Sequence, residues 1–493
     1  MSVGSDAGDV IDGVPLGVYI DSSWREARSG ETLVKTDPAT EQVLAEFASA
    51  GPADVDAAVL SARAAFDGGE WSRLRGPDRA RILLKVADLI ERDAIRLATI
   101  HSFENGVSVR SALDFDVRNA ADAFRYQAGW ADKINGSVSP PLDVRGRPTH
   151  SFVVREALGV VAAILPWNGP VVDAADKLAP ALAAGCAVVL KPAEQSLLSV
   201  MYLVKLLQEA GLPAGAVNVV PGRGDVAGEA LIRNPGVDKI SFTGSVEVGR
   251  HIMRAAAENF TRVTLELGGK SPTVIFDDAD LNTAIGDAAR GVFANQGQIC
   301  AAGSRILVHK AVYDEVVEGL ADAVSSVRLG NPREVDVSMG PLITREQQDR
   351  VLNYIAIGSD EGARLIGARP VVPDRGYFVA PAIFADASND MRVAQEEIFG
   401  PVATVIPFTD ESEAVEIANG SQYGLAATVF TADISRAHRM TRALRVGTVW
   451  VNGWGAVDKR LPWGGVKNSG IGREGGLEGV LGYTEPKTVR IIT

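Results

Sequence analysis

Residues 159–195 read GVVAAILPWNGPVVDAADKLAPALAAGCAVVLKPAEQ, and the fold turns on them. Residues 159–165 and 187–190 are short apolar runs without polar alternation, which marks strands covered on both faces. Between them, 170–184 opens on Pro170 and closes at Gly185, the signature of a helix with proline at its first position and glycine past its end. Strand, helix, strand is the unit of a parallel sheet. The same rhythm continues outward, with helices expected at 196–210, 226–233 and 246–258 and strands at 216–220, 237–242 and 263–267. The expectation is a doubly wound sheet that binds a nucleotide at its strand ends.

A second α/β region follows, with strands expected at 273–276, 305–309, 403–407, 427–430 and 448–451. Helices are expected near 281–295, 312–327, 344–359, 412–418 and 434–444. Residues 1–50 read as short strand pieces, and 52–131 as helical, with Val55, Val59, Ala62 and Phe66 on one face. Residues 135–155, with Pro140, Pro141 and Pro148, suggest a hairpin arm, and 481–492 a terminal strand.

Composition narrows the chemistry. The chain has 493 residues, 46% hydrophobic, and carries 49 Lys+Arg against 62 Asp+Glu, a net charge of −13 without a compensating basic run. Such a surface repels nucleic-acid backbones and anionic lipid, so neither is an expected partner. Two cysteines cannot form a secreted staple framework, and the start MSVGSDAGDV lacks the basic and apolar regions of a leader, which points to a reducing cytoplasm. No apolar run reaches the roughly 18 residues needed to cross a bilayer. Five scattered histidines without metal-ligand spacing leave no expected metal.

Cys300 lies in FANQGQICAAGSR (293–305), where a thiol among small residues suits a nucleophile, though a lone cysteine also packs as a small hydrophobe. Cys186, at the mouth of an apolar strand, is read as packing. Glu266 ends an otherwise apolar strand before Gly268 and Gly269, where burial would raise its pKa toward that of a useful base. A structural ion pair is the alternative. Asn168 stands at a strand-to-helix turn, placed to donate to an oxyanion or simply to cap the helix. Lys191 and Glu194 close the next strand, where a carboxylate can accept ribose hydroxyls and repel a 2′-phosphate. Gly244, Ser245 and Gly249 in FTGSVEVG would let a pyrophosphate approach a helix start.

In order and spacing, LPWNGP (165–170), LKPAEQ (190–195), FTGS (242–245) with Gly249, LELGGKSP (265–272), NQGQIC (295–300), EEIFGPV (396–402) and PWGGVKNSGIGRE (462–474) resemble the motif set of the NAD(P)-dependent aldehyde dehydrogenases. The resemblance spans roughly residues 18–489. It implies Cys300 as nucleophile, Glu266 as general base, and an oxyanion hole from Asn168 and the Cys300 amide. It places Trp167, Lys191, Glu194, Gly244, Ser245, Gly249, Leu267, Glu397 and Phe399 around NAD, with NADP as the alternative. It also implies oxidation of a small-molecule aldehyde to its acid through a thiohemiacetal and a thioester hydrolysed by Glu266-activated water. Less favoured are a coenzyme A-acylating dehydrogenase, which usually lacks that base, a nucleotide-free thiol esterase, and a catalytically silent member of the fold.

The implied architecture is a Rossmann-type cofactor domain (1–133 and 155–265), an α/β catalytic domain (266–466) and a small β oligomerisation arm (134–154 and 478–493) that makes a homodimer or homotetramer. The substrate tunnel is where this sequence departs from its relatives. Gly169 replaces a usual aromatic, Ala294 another, and Asp173 and Asp176 stand in place of large apolar side chains. Ile299, Ala301 and Trp463 complete the expected wall. Two carboxylates at i and i+3 share a helix face, which suggests a wide, acidic tunnel for a bulky polar or cationic aldehyde. The competing expectation pairs Asp173 with Lys177 at i, i+4.

Overall fold

In the computed structural model, which describes residues 7–492, two large sheets carry the chain. The opening residues 1–6, read above for the lack of a leader, and Thr493 lie outside the described residues. The first sheet has eight strands in the order Ser23–Arg25, Val18–Ile20, Val217–Val219, Ala187–Lys191, Val160–Ile164, Lys239–Thr243, Arg262–Glu266, Gly470–Ile471. The five central strands are parallel. Both edges are antiparallel, which the apolar runs gave no reason to expect.

The absence of alternation has its cause in the two cores. Val161 and Ala163 enter one core with Leu178, Leu182 and Leu203, while Val160, Ala162 and Ile164 enter the other with Val55, Leu231 and Ile252. The Pro170–Ala184 helix has proline at its start and a left-handed Gly185 (φ 98°) at its end, as the sequence predicts. From Val160–Ile164 the chain winds first toward Ala187–Lys191 and later back to Lys239–Thr243 on the other side. The crevice at the carboxyl ends of these strands is therefore a topological switch point.

The second sheet runs Arg364–Ile366, Ala382–Ala385, Val402–Phe408, Arg305–His309, Pro272–Ile275, Ala426–Phe430, Thr448–Val451, parallel except for its first pair. Arg364–Ile366 and Ala382–Ala385 are short and were not read from the sequence. In the arm, Thr484–Ile492 pairs along nine positions with Arg147–Ala157, which also pairs with Ser137–Ser139. A short helix, Gly476–Leu481, ends where the terminal strand is expected to begin, and the strand itself runs Thr484–Ile492. Among the described residues, no helix is long and apolar enough to cross a membrane.

Candidate active site

A cleft of about 1950 Å³ opens at the strand ends between the two sheets. Its lining includes Trp167, Asn168, Gly169, Asp173, Asp176, Lys191, Glu194, Gly244, Ser245, Glu266, Leu267, Ile299, Cys300, Ala301, Glu397, Phe399 and Trp463. Gly249 does not line it. A Cβ there would stand 2.7 Å from Leu267 Cδ2, so the glycine lets the Val246–Asn259 helix pack on the strand end carrying Leu267. It acts on the cleft wall from behind.

Cys300 follows a short 3-10 turn, Ala294–Gly297, in which Asn295 (φ 45°) and Gln296 (φ 56°) are left-handed. This strained turn is fastened by side chains. Asn295 Nδ2 donates to the Asn168 carbonyl at 3.0 Å and to the Gln298 carbonyl at 3.3 Å, and Gln296 Nε2 donates to the Gly106 carbonyl at 3.0 Å. Asn295 thus ties the thiol's loop to the backbone of Asn168. The sequence quoted Asn295 within a motif but offered no reason to give it this part.

Asn168 is not the helix cap. Gly169 holds that position, and the first helical amides, Val171 and Val172, donate instead to the Asp116 carboxylate at 3.4 and 3.0 Å. Asp116 also meets His101 Nδ1 at 2.9 Å, a pair from a distant helical segment that no local pattern reveals. Relieved of capping, the Asn168 side-chain amide has no hydrogen-bond partner among the described residues and borders the cleft.

Glu266 is 4% exposed, and neither of its carboxylate oxygens has a hydrogen-bond partner among the described residues. Burial, then the nearby Glu474 carboxylate, pushes its pKa well above the ordinary range, opposed by Lys177 and Arg473. Lys177 is fully buried and spends its three donors on Glu474 Oε1 (2.5 Å), Thr243 Oγ1 (2.8 Å) and Ser241 Oγ (3.4 Å). The expected Asp173–Lys177 pair is therefore absent, because Glu474 arrives from the far end of the chain and takes the ammonium. Asp176 does not stand free either, since Lys459 Nζ donates to both its oxygens at 2.9 and 2.6 Å.

Burial, followed by the carboxylates of Asp173, Glu397 and Glu266, raises the Cys300 thiol well above its usual pKa. Activated cysteines ordinarily sit in electropositive surroundings. Here the site favours the protonated thiol, so nucleophilic attack requires a proton acceptor beside it. Glu266, whose own pKa burial raises, lines the same cleft.

The other half of the cleft is polar and glycine-rich. Lys191 Nζ approaches Glu194 Oε2 at 3.3 Å, and burial lowers the Lys191 pKa. Ser245 caps the Val246–Asn259 helix, its Oγ accepting from the Val248 amide at 3.3 Å, and that helix turns its positive end to the cleft. The Trp167 and Phe399 rings meet edge to face at 5.1 Å. Glu397 Oε1 accepts from the Gly269 amide at 2.9 Å, and burial raises its carboxyl to about 7. A Cβ on Gly268 would fall 2.0 Å from Glu397 Oε2. Cys186 is buried away from the cleft, its Sγ 3.4 Å from the Tyr483 carbonyl, as a packing residue.

Comparison with known proteins gives a consistent result. The model of the aldehyde dehydrogenase family matches residues 24–489. A putative aldehyde dehydrogenase, DhaS, of Bacillus subtilis (strain 168) is 46% identical over 472 residues, covering 96% of this chain and 94% of its own. Human retinal dehydrogenase 2 is 44% identical over 476 residues, covering 96% and 91%. The structure of an aldehyde dehydrogenase from Bacillus cereus in complex with NAD+ superposes with a TM-score of 0.96 at 43% identity, covering 99% of both chains.

Proposed function

The chain belongs to the aldehyde dehydrogenase family and oxidises aldehydes with NAD, and from that premise we propose the parts its side chains play. Cys300 is the nucleophile, Glu266 the base, and Asn168 with the Cys300 amide the oxyanion site. One observation carries this: three segments distant in sequence bring a thiol, an unpartnered buried carboxylate and an unpartnered amide to the same cleft.

The thiol sulfur adds to the aldehyde carbon while its proton passes to a neighbouring base. Donors at Asn168 and the Cys300 amide stabilise the alkoxide of the thiohemiacetal. NAD, when bound, supplies the acceptor for the hydride that leaves this carbon. The acyl group remains on Cys300 as a thioester, which is activated toward water. Glu266 takes a proton from that water, and the thioester collapses to the carboxylic acid and free thiol. A base at this position supports hydrolysis over transfer to coenzyme A.

NAD fits the polar half of the cleft. The helix N-terminus at Gly244 and Ser245 would hold the pyrophosphate, Lys191 and Glu194 the adenosine ribose, and Glu397 the nicotinamide ribose, with Trp167, Leu267 and Phe399 alongside. The Glu194 carboxylate favours NAD over NADP. We further assign homo-oligomer formation to the arm, on which Val138, Leu142, Ile491 and Ile492 are exposed apolar side chains. A reducing cytoplasm suits the free thiol.

The test is Cys300→Ala. Aldehyde-dependent reduction of NAD is expected to vanish while NAD still quenches tryptophan fluorescence, and retained turnover would overturn the assignment.

A further inference from the structure

Around the thiol, Lys459, Arg290 and Arg110 are ion-paired, whereas Asp173 joins Glu266 as a carboxylate without a partner. Lys459 is held by Asp176, Arg290 by Asp287 at 2.9 Å and the Trp454 carbonyl at 3.1 Å, and Arg110 by Asp114 at 3.6 Å. His101 faces Asp116. The Asp173 side chain, by contrast, has no ion-pair or hydrogen-bond partner among the described residues, although it lines the cleft within electrostatic reach of Cys300 and Glu266. Gly169 leaves it uncovered, since a Cβ there would stand 3.2 Å from Asp173 Oδ2. Trp450, Trp454 and Trp463 line the same cleft, as do Ile299 and Ala301, with neighbouring ring centroids 6.3 and 6.1 Å apart. Trp454 Nε1 lies 3.4 Å from the Ala301 carbonyl, which fixes that ring beside the nucleophile's loop.

Burial raises the Asp173 carboxyl well above the ordinary range, only partly opposed by Lys177, and a cation entering the site would favour its ionised form and relieve the cost of burying that charge. Indole faces attract the same charge. A ligand carboxylate would meet Asp173 and find Lys459, Arg290 and Arg110 already engaged.

We infer that the cleft selects aldehydes bearing a cationic nitrogen, with Asp173 as counter-ion and the tryptophan faces beside it, and discriminates against aldehydes bearing a carboxylate. This rests on the reading of Cys300 as the nucleophile, and it makes Asp173 a specificity-determining residue.

The experiment compares kcat/KM for 3-aminopropanal, for butanal as its neutral isostere, and for 4-oxobutanoate. The amine is expected to exceed butanal by about tenfold and the carboxylate to fall below it by about tenfold, the span of one charge-assisted contact. In Asp173→Asn, the preference for 3-aminopropanal over butanal should collapse to within about threefold. Equal losses on both substrates would overturn the inference, as would an equal loss on 3-hydroxypropanal, which would make Asp173 a hydrogen-bonding group rather than a counter-ion. A readout independent of the variant's folding is inhibition of wild-type butanal oxidation: propylammonium should compete, and stronger competition by propionate would also overturn it. If butanal oxidation persisted undiminished in Cys300→Ala, the catalytic reading itself would fall, and the inference with it.

Discussion

A Cβ placed on Gly269 would stand 2.3 Å from the carbonyl oxygen of Cys300. The two residues lie 31 positions apart, and that close approach seats the thiol's loop against the strand end that carries Glu266. Gly269→Ala must push the loop away. Displacements of this size near reacting atoms cost about a hundredfold in rate, so kcat should fall by that order, and the strain of moving buried backbone should lower the melting temperature as well. Steady-state kinetics and thermal denaturation of the variant provide the check.

Glu266→Gln separates the two halves of the reaction. The first turnover should still release one equivalent of reduced cofactor per active site, whereas the steady-state rate should fall by about a thousandfold, within the range for loss of a general base. Stopped-flow absorbance reads the burst. A burst lost along with steady-state turnover would show that Glu266 is also needed to take the thiol's proton.

Lys177→Met removes a buried ammonium and leaves Glu474 without its partner, beside Glu266. Breaking a buried pair from one side typically costs about 3–5 kcal/mol, and urea denaturation should show a loss of that order. Arg460→Met, at the exposed Arg460–Asp458 pair, should change stability little.

Glu397 makes cofactor affinity sensitive to acid. With its carboxyl raised to about 7, the ionised form that accepts hydrogen bonds best is lost as pH falls through that value. In the free enzyme, kcat/KM for NAD should therefore decline below about pH 7 and level off above it. Glu397→Gln should flatten the profile at a lower plateau. The same group contributes to stability in the opposite sense: its raised folded-state pKa gives stability present below the ordinary carboxylate range and lost as pH rises toward 7.

How far the sequence could be read depended on how local the causes were. The helix Pro170–Ala184 announces itself through Pro170 and Gly185, and its flanking strands through uninterrupted apolar runs. Cys300, Glu266 and Asn168 were legible as a set through ordered motifs, and all three line the cleft. The partners of the acidic residues were not. Lys177 and Glu474 are separated by 297 positions and Asp176 and Lys459 by 283, so only the tertiary fold decides which carboxylate each lysine serves. The helix cap supplied by Asp116 and the edge strand Gly470–Ile471 are of the same kind, set by elements that arrive from elsewhere in the chain.

That edge strand imposes an order on synthesis. Gly470 pairs with Glu266, and four residues later Glu474 reaches the ammonium of Lys177. A growing chain can assemble its central strands early, but the surroundings of residue 266 cannot be complete until residues 470–474 have left the ribosome. The nascent protein thus carries its thiol without a finished site around it until the segment holding Gly470 and Glu474 has emerged, so activity arrives as a late step rather than growing in with the fold.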